Sequence, residues 1–151
     1  MATLISHSPE ETEALGETWG REAESGLVIG LCGDLGAGKT QLVKGIARGL
    51  GITDRVHSPT FTLLNVYSGG RLNLNHLDLY RLESREQVIA AGLEEYFYPA
   101  GVTVVEWAER WFGGGESSKL EVRSSKSRLR WVQMDSLSET SRRIIYEDFG
   151  D

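Results

Sequence analysis

The sequence predicts an α/β fold: a single domain spanning residues 1–151, with a mixed central sheet, an antiparallel hairpin inserted into it, and flanking helices. Three observations predict it. The chain has 151 residues, the size of one domain, and such a chain buries roughly 68–70% of the surface it exposes when unfolded. The run Leu27-Val28-Ile29-Gly30-Leu31-Cys32 is continuously apolar, the pattern of a strand covered on both faces. A glycine-rich string then leads straight into a helical pattern.

Taken in order, Ser8-Pro9-Glu10-Glu11 reads as a helix start, with Ser8 as N-cap, Pro9 at the first helical position and Glu11 closing a capping box. Leu15, Trp19 and Ala23 then make an apolar stripe that Gly26 ends. After the buried strand, Gln41 to Leu50 is helical, with Leu42, Val43, Ile46, Ala47 and Leu50 on one side and Gly51 as the stop. Phe61 to Tyr67 and Leu72 to Leu79 are strand-like runs joined by Ser68-Gly69-Gly70, which predicts the hairpin. Gln87 to Leu93 reads as a short helix, and Val102-Thr103-Val104-Val105 as a second apolar strand ending at Glu106. Gly113-Gly114-Gly115 limits Ala108 to Phe112 to about one turn of helix. Leu120 to Arg123 and Leu129 to Met134 are expected to pair as a late hairpin around Ser125–Ser127, and Ser138 to Phe149 fits helix or strand.

Composition narrows the function. The formal net charge is −6, which argues against free nucleic acid or an anionic membrane surface as the main partner. The charge is uneven: six glutamates face one arginine over residues 1–25, whereas seven Lys/Arg face three acids over 119–143. These segments read as two candidate docking faces. The basic one, with Lys126 and Arg128 at its tip, is either a phosphate contact or a solvated surface. A single cysteine, Cys32, lies in an apolar run and fits a reducing, cytoplasmic setting. There is no leader pattern and no apolar stretch of membrane-spanning length. Eighteen glycines against three prolines is the unusual count.

Part of that glycine has an evident use. Gly33-Asp34-Leu35-Gly36-Ala37-Gly38-Lys39-Thr40 fits G-x-x-x-x-G-K-[ST] at every defined position. Glycines let the backbone of Gly33, Leu35, Gly36, Ala37 and Gly38 aim successive N–H groups at phosphate oxygens. The helix that follows adds its own unsatisfied N–H groups and positive dipole end. Lys39 then neutralises β- and γ-phosphates and the Thr40 hydroxyl ligates Mg²⁺. The string therefore predicts a P-loop NTPase-like domain. No guanine-reading N-K-x-D follows it, so ATP is the expected nucleotide.

Such a loop also needs a carboxylate near the metal. Glu106 ends a buried strand and so stands at the carboxyl edge, where ligands bind in open α/β sheets. Asp78 lies in the alternating run His76-Leu77-Asp78-Leu79-Tyr80-Arg81. The residues alone do not divide the roles between these two acids. Ser58-Pro59-Thr60 is either a loop that senses the γ-phosphate or a plain turn. Trp107 either stacks on a base or partner or belongs to the core; Trp19, Trp111 and Trp131 read as core. His7, His57 and His76 show no metal-ligand spacing.

Four blocks in fixed order, the glycine-rich string, Ser58-Pro59-Thr60-Phe61, His76 to Arg81 and Val105-Glu106-Trp107, resemble the TsaE (YjeE) family, P-loop ATPases of bacterial tRNA threonylcarbamoyladenosine (t6A) synthesis. Glu11-Thr12 followed by Leu15-Gly16-Glu17 also matches, and the resemblance covers about residues 8–112. It implies a cytoplasmic protein that binds and slowly hydrolyses ATP with Mg²⁺. Its partner would be the TsaB–TsaD complex, whose repeated turnover the nucleotide cycle permits, and tRNA would be met only through that complex. Position by position, the resemblance implies Lys39 and Thr40 as phosphate and Mg²⁺ residues and Glu106 as the second metal-side ligand. Asp78 would orient or deprotonate the attacking water, and Thr60 would be a switch hydroxyl. Trp107 would lie near the nucleotide or partner, and the stretch from His7 to Thr12 near the adenine. Ala108 departs from the family, which often has proline there. Two other readings stay open: a P-loop small-molecule kinase, for which Arg81 and Arg85 are the clustered arginines, and a nucleotide-dependent binding module without required hydrolysis.

Overall fold

The computed structural model describes residues 1–33, 38–59, 61–113 and 128–150. Seven strands form one mixed sheet in the order β1-β7-β6-β2-β5-β4-β3, with β1 Ala2–Ser6, β2 Leu27–Gly33, β3 Leu64–Tyr67, β4 Leu74–Asp78, β5 Val102–Glu106, β6 Arg128–Ser136 and β7 Arg142–Phe149. The middle four, β6, β2, β5 and β4, run parallel. β3 joins β4, and β7 and β1 extend the other side, all antiparallel. The mixed α/β architecture and the inserted hairpin are as the sequence predicts.

Helices cover both faces, so the central strands bury both. α1 (Pro9–Glu22) and α2 (Lys39–Gly49) lie on one side, where Trp19, Leu42, Val43 and Ile46 meet Ile29, Leu31, Val104 and Val132. α3 (Arg85–Ala90), the 3₁₀ turn Glu94–Phe97 and α4 (Glu109–Phe112) lie on the other, where Val88, Phe97, Trp111 and Phe112 meet Val28, Leu77, Val105 and Leu129. Alternate residues of β2 thus serve two cores, as a strand with period two must. None of the described helices is long and apolar enough to cross a membrane.

The start of α1 forms as expected, with one variation. Ser8 Oγ accepts from Glu11 N at 3.1 Å, while the Glu11 carboxylate accepts from His7 N at 2.6 Å, one residue earlier than in the usual capping box. At the other end, Arg71 from the hairpin donates to the carbonyls of Gly20, Arg21 and Ala23, which α1 itself leaves unpaired. The α1–α2 contact shows where more of the glycine goes. A β-carbon on Gly16 or Gly20 would overlap the carbonyl of Leu42 or Ile46, and one on Gly45 or Gly49 that of Glu13 or Glu17. Two glycines four residues apart on each helix let the backbones touch, which fixes the start of α1 against the start of α2.

Several boundaries differ from expectation. β3 starts at Leu64 rather than Phe61, because Leu63 sits at φ 67° with its N–H on the Pro59 carbonyl, and Phe61 is 80% exposed. α3 runs from Arg85 under a Ser84 cap instead of from Gln87. β6 does not form a hairpin with Leu120–Arg123, which lies outside the described residues: one edge of β6 is taken by β2 and the other by β7. The ambiguous tail is therefore a strand, and β1, which local pattern did not announce, pairs with it. The two charged segments are also less separate than they read. Arg128 pairs with Glu24, and Arg130 makes a two-pronged ion pair with Asp148 while its guanidinium lies 4.8 and 4.6 Å from the Trp19 and Tyr146 rings. Arg128 opens β6 and is not at a hairpin tip; Lys126 lies outside the described residues. Trp19 and Trp111 are buried as expected, and Trp131 is half-buried.

Candidate active site

The parallel strands bring their carboxyl ends to one edge, and Asp78 and Glu106 stand there. β2 ends at Gly33, β4 at Asp78 and β5 at Glu106. Asp78 and Glu106 are direct partners in the β4–β5 register, so two acids far apart in sequence stand side by side, each about 5% exposed or less. Both follow strand residues (Leu74, Val104) that pack under α2, and period-two alternation puts them on that same face. Asp78 Oδ1 accepts from Tyr80 N at 3.0 Å, and Glu106 Oε2 meets His76 Nε2 at 2.7 Å.

Across the edge stands the start of α2. Gly38 is its N-cap, at φ 90°, a conformation that favours glycine, with no side-chain cap on the first turn. Lys39 Nζ donates to Gly33 O at 2.9 Å and sits 4.5 Å above the centre of the Trp107 ring. Trp107 itself is held at φ 59°, a sparsely populated conformation for a bulky residue, and its ring also meets Tyr80 at 5.2 Å. Lys39, Asp78, Glu106 and Trp107 are thus brought together, with Thr40 next in the first turn of α2. Leu35, Gly36, Ala37 and Thr60 lie outside the described residues.

Thr12 is placed on the far side of Gly38. It lines a small cleft with Pro9, Gly38, Gln41, Thr140 and Arg142, and its hydroxyl is engaged with Ser6 Oγ at 2.7 Å and the Ser8 carbonyl. Arg142 went unremarked in the sequence. Its Nε lies 3.7 Å from where a Gly38 β-carbon would be, and Nη1 is held by the Ser138 and Ser141 carbonyls. In the sequence, His76 stands in the run His76 to Arg81 and without metal-ligand spacing. Neither residue carries a local signal, because β7 reaches Gly38 through the sheet and His76 reaches Glu106 diagonally across two strands.

The donor set bears on what the edge could hold. Among the described residues no cluster of three or more His, Cys, Asp and Glu could cage a metal ion. The two acids and Thr40 offer only oxygens, and too few of them for a self-sufficient site. That suits Mg²⁺, which takes one or two carboxylates and completes its shell with water and substrate phosphates. Cys32, one residue before Gly33, contributes nothing to it: burial, then the neighbouring Glu109, push its thiol far above the ordinary range, so it stays protonated.

Comparison with known proteins identifies the family. Residues 6–140 match the family described as threonylcarbamoyl adenosine biosynthesis protein TsaE. The Treponema pallidum tRNA threonylcarbamoyladenosine biosynthesis protein TsaE is 51% identical over 106 residues, covering 70% of this chain and 78% of that one. The Bacillus subtilis protein of the same name is 50% identical over 101 residues, covering 67% of this chain and 63% of that relative, just under two thirds of its length. The crystal structure of Bacillus subtilis YdiB superposes with a TM-score of 0.74 at 33% identity, over 99% of this chain and 86% of that one. A family match over most of the chain, relatives at half identity and a shared fold lead to one conclusion: this chain belongs to the TsaE family.

Proposed function

We propose that this protein is a P-loop ATPase that binds ATP with Mg²⁺ at the carboxyl edge of β2 and hydrolyses it slowly. It would serve tRNA t6A biosynthesis by acting on the TsaB–TsaD complex to permit repeated turnover. The observation that carries the reading is the pairing of Asp78 with Glu106 in strand register, at the edge where Lys39 lies over Trp107. Two buried acids beside a lysine and a helix start form an arrangement suited to a triphosphate and its cation.

On this reading each residue has a task. Thr40 and Glu106 would hold Mg²⁺, which when bound neutralises charge on the phosphate oxygens. Lys39 now donates to the Gly33 carbonyl, so on meeting a phosphate it exchanges one oxygen acceptor for another. The Gly33–Thr40 backbone amides and the α2 N-terminus would stabilise the negative charge. Asp78, anchored by the Tyr80 amide, orients the attacking water and accepts its proton. Thr12, in the cleft beside Gly38, would meet the base, and Thr60 would supply the sensing hydroxyl. Arg81 and Arg85, which a kinase lid would need free to close, instead stack 4.5 Å from Phe61 and 4.2 Å from Trp111.

An arginine supplied by a partner is worth about 10³–10⁵ in rate, so turnover alone should be slow. Phosphate release from ATP, measured with and without TsaB–TsaD, tests the reading. Acceleration with saturating partner dependence is expected. Unchanged release over a range of partner concentrations, or a phosphorylated metabolite in place of free phosphate, would overturn it.

A further inference from the structure

We propose that His76 is the positioning residue for Glu106, holding its carboxylate in the orientation that receives the divalent cation; this rests on the assignment of Glu106 to the metal above. His76 is fully buried, and its Nε2 lies 2.7 Å from Glu106 Oε2. With the Glu106 carboxylate as acceptor, the donor is the imidazole Nε2–H. Nδ1, equally buried, has no hydrogen-bond partner among the described residues. A histidine kept only for packing would leave an apolar side chain the better choice, and one kept as a general core hydrogen-bonder would satisfy both nitrogens. Among the described residues, the ring's one hydrogen-bond partner is Glu106.

The strand geometry explains how it gets there. Leu74, His76 and Asp78 alternate onto the face of β4 that α2 covers, and Val104 and Glu106 onto the same face of β5. His76 pairs in register with Val104 and Asp78 with Glu106, so the imidazole reaches Glu106 along the diagonal. Glu106 is thus fixed from one side at Oε2, while Oε1 takes no hydrogen bond from the described residues. Partners behind a metal-ligating group set its orientation, and removing one typically costs about 10- to 100-fold in metal affinity.

The test compares His76→Leu with His76→Gln, whose amide N–H can occupy the place of the imidazole Nε2–H. Calorimetry on the full chain with a non-hydrolysable ATP analogue gives the Mg²⁺ concentration for half-maximal tightening, and melting temperature is recorded alongside. His76→Leu should raise that concentration about 10- to 100-fold with Mg²⁺-free nucleotide affinity unchanged, and His76→Gln should restore most of it. Equal shifts in both variants, or a fall in melting temperature with no shift in Mg²⁺ dependence, would overturn the proposal. In the unmutated protein, the ring nitrogen signals of His76 should move on addition of Mg²⁺ and analogue more than those of His7 and His57; no movement at His76 would also overturn it. Glu106→Gln separates the two levels. If it leaves the Mg²⁺ dependence untouched, the metal assignment itself fails; if it shifts the dependence and His76→Leu does not, only the role of His76 fails.

Discussion

Substituting Gly45 by alanine puts two physical effects in direct opposition, and the structure says which wins. Gly45 lies inside α2, where alanine is intrinsically favoured by about 1 kcal/mol. On propensity alone the variant should be more stable. The new β-carbon, however, would overlap the Glu13 carbonyl and press on Glu17 N, backbone atoms that no rotamer change can move. α1 and α2 must separate, and overpacking of this kind costs about 1–3 kcal/mol, occasionally more. An overlap this deep with backbone atoms belongs to the upper part of that range, so the net expectation is a loss of about 1–2 kcal/mol, or roughly 2–8 °C in Tm for a chain of this size. Urea unfolding should show a lower midpoint at unchanged m. Gly20→Ala should act likewise through Ile46, and the double variant should lose less than the two single losses combined, because helices already pushed apart have room for the second methyl. A Gly45→Ala protein as stable as the parent, or more so, would refute the close-approach reasoning.

The remaining predictions concern the chemistry. Lys39→Ala should weaken ATP binding in calorimetry, whereas Asp78→Asn should bind ATP and lose about 10²–10⁴ in hydrolysis rate, the usual worth of a positioned base. If Asp78→Asn still supports repeated tRNA modification with TsaB–TsaD, hydrolysis is incidental and the binding-module reading prevails. Cys32, kept protonated by burial and by Glu109, should resist a thiol reagent at neutral pH in the native protein and react at the rate of unfolding in urea; immediate labelling of native protein would contradict this.

Local signals were legible wherever a residue's neighbours in sequence are also its neighbours in space. Ser8, Pro9 and Glu11 begin α1, Leu27–Cys32 forms β2, and Val102 to Glu106 forms β5 with its acid at the edge. What escaped was set by tertiary pairing. β1 is exposed over most of its length, so its sequence lacks the burial alternation that marks a strand, and it exists because β7 offers an edge. β6 has no local reason to choose β2 and β7 over Leu120–Arg123. The four-residue spacing of Gly16 and Gly20, and of Gly45 and Gly49, was visible in the sequence, but only the helix crossing gives it meaning. The candidate site divides the same way. Asp78 and Glu106 could be named from strand ends, whereas their adjacency, the stacking of Lys39 on Trp107, and the reach of His76 and Arg142 are products of register.

On the proposed function, the edge formed by Gly33, Asp78 and Glu106 is a Mg²⁺–ATP site. A crystal structure of the full chain with Mg²⁺ and a non-hydrolysable ATP analogue tests it most directly. The β- and γ-phosphates should lie on the Gly33–Thr40 backbone, with Lys39 turned to them from the Gly33 carbonyl. Thr40 and Glu106 should lie in the cation's shell. A triphosphate bound elsewhere, or a cation that neither residue approaches, would contradict it.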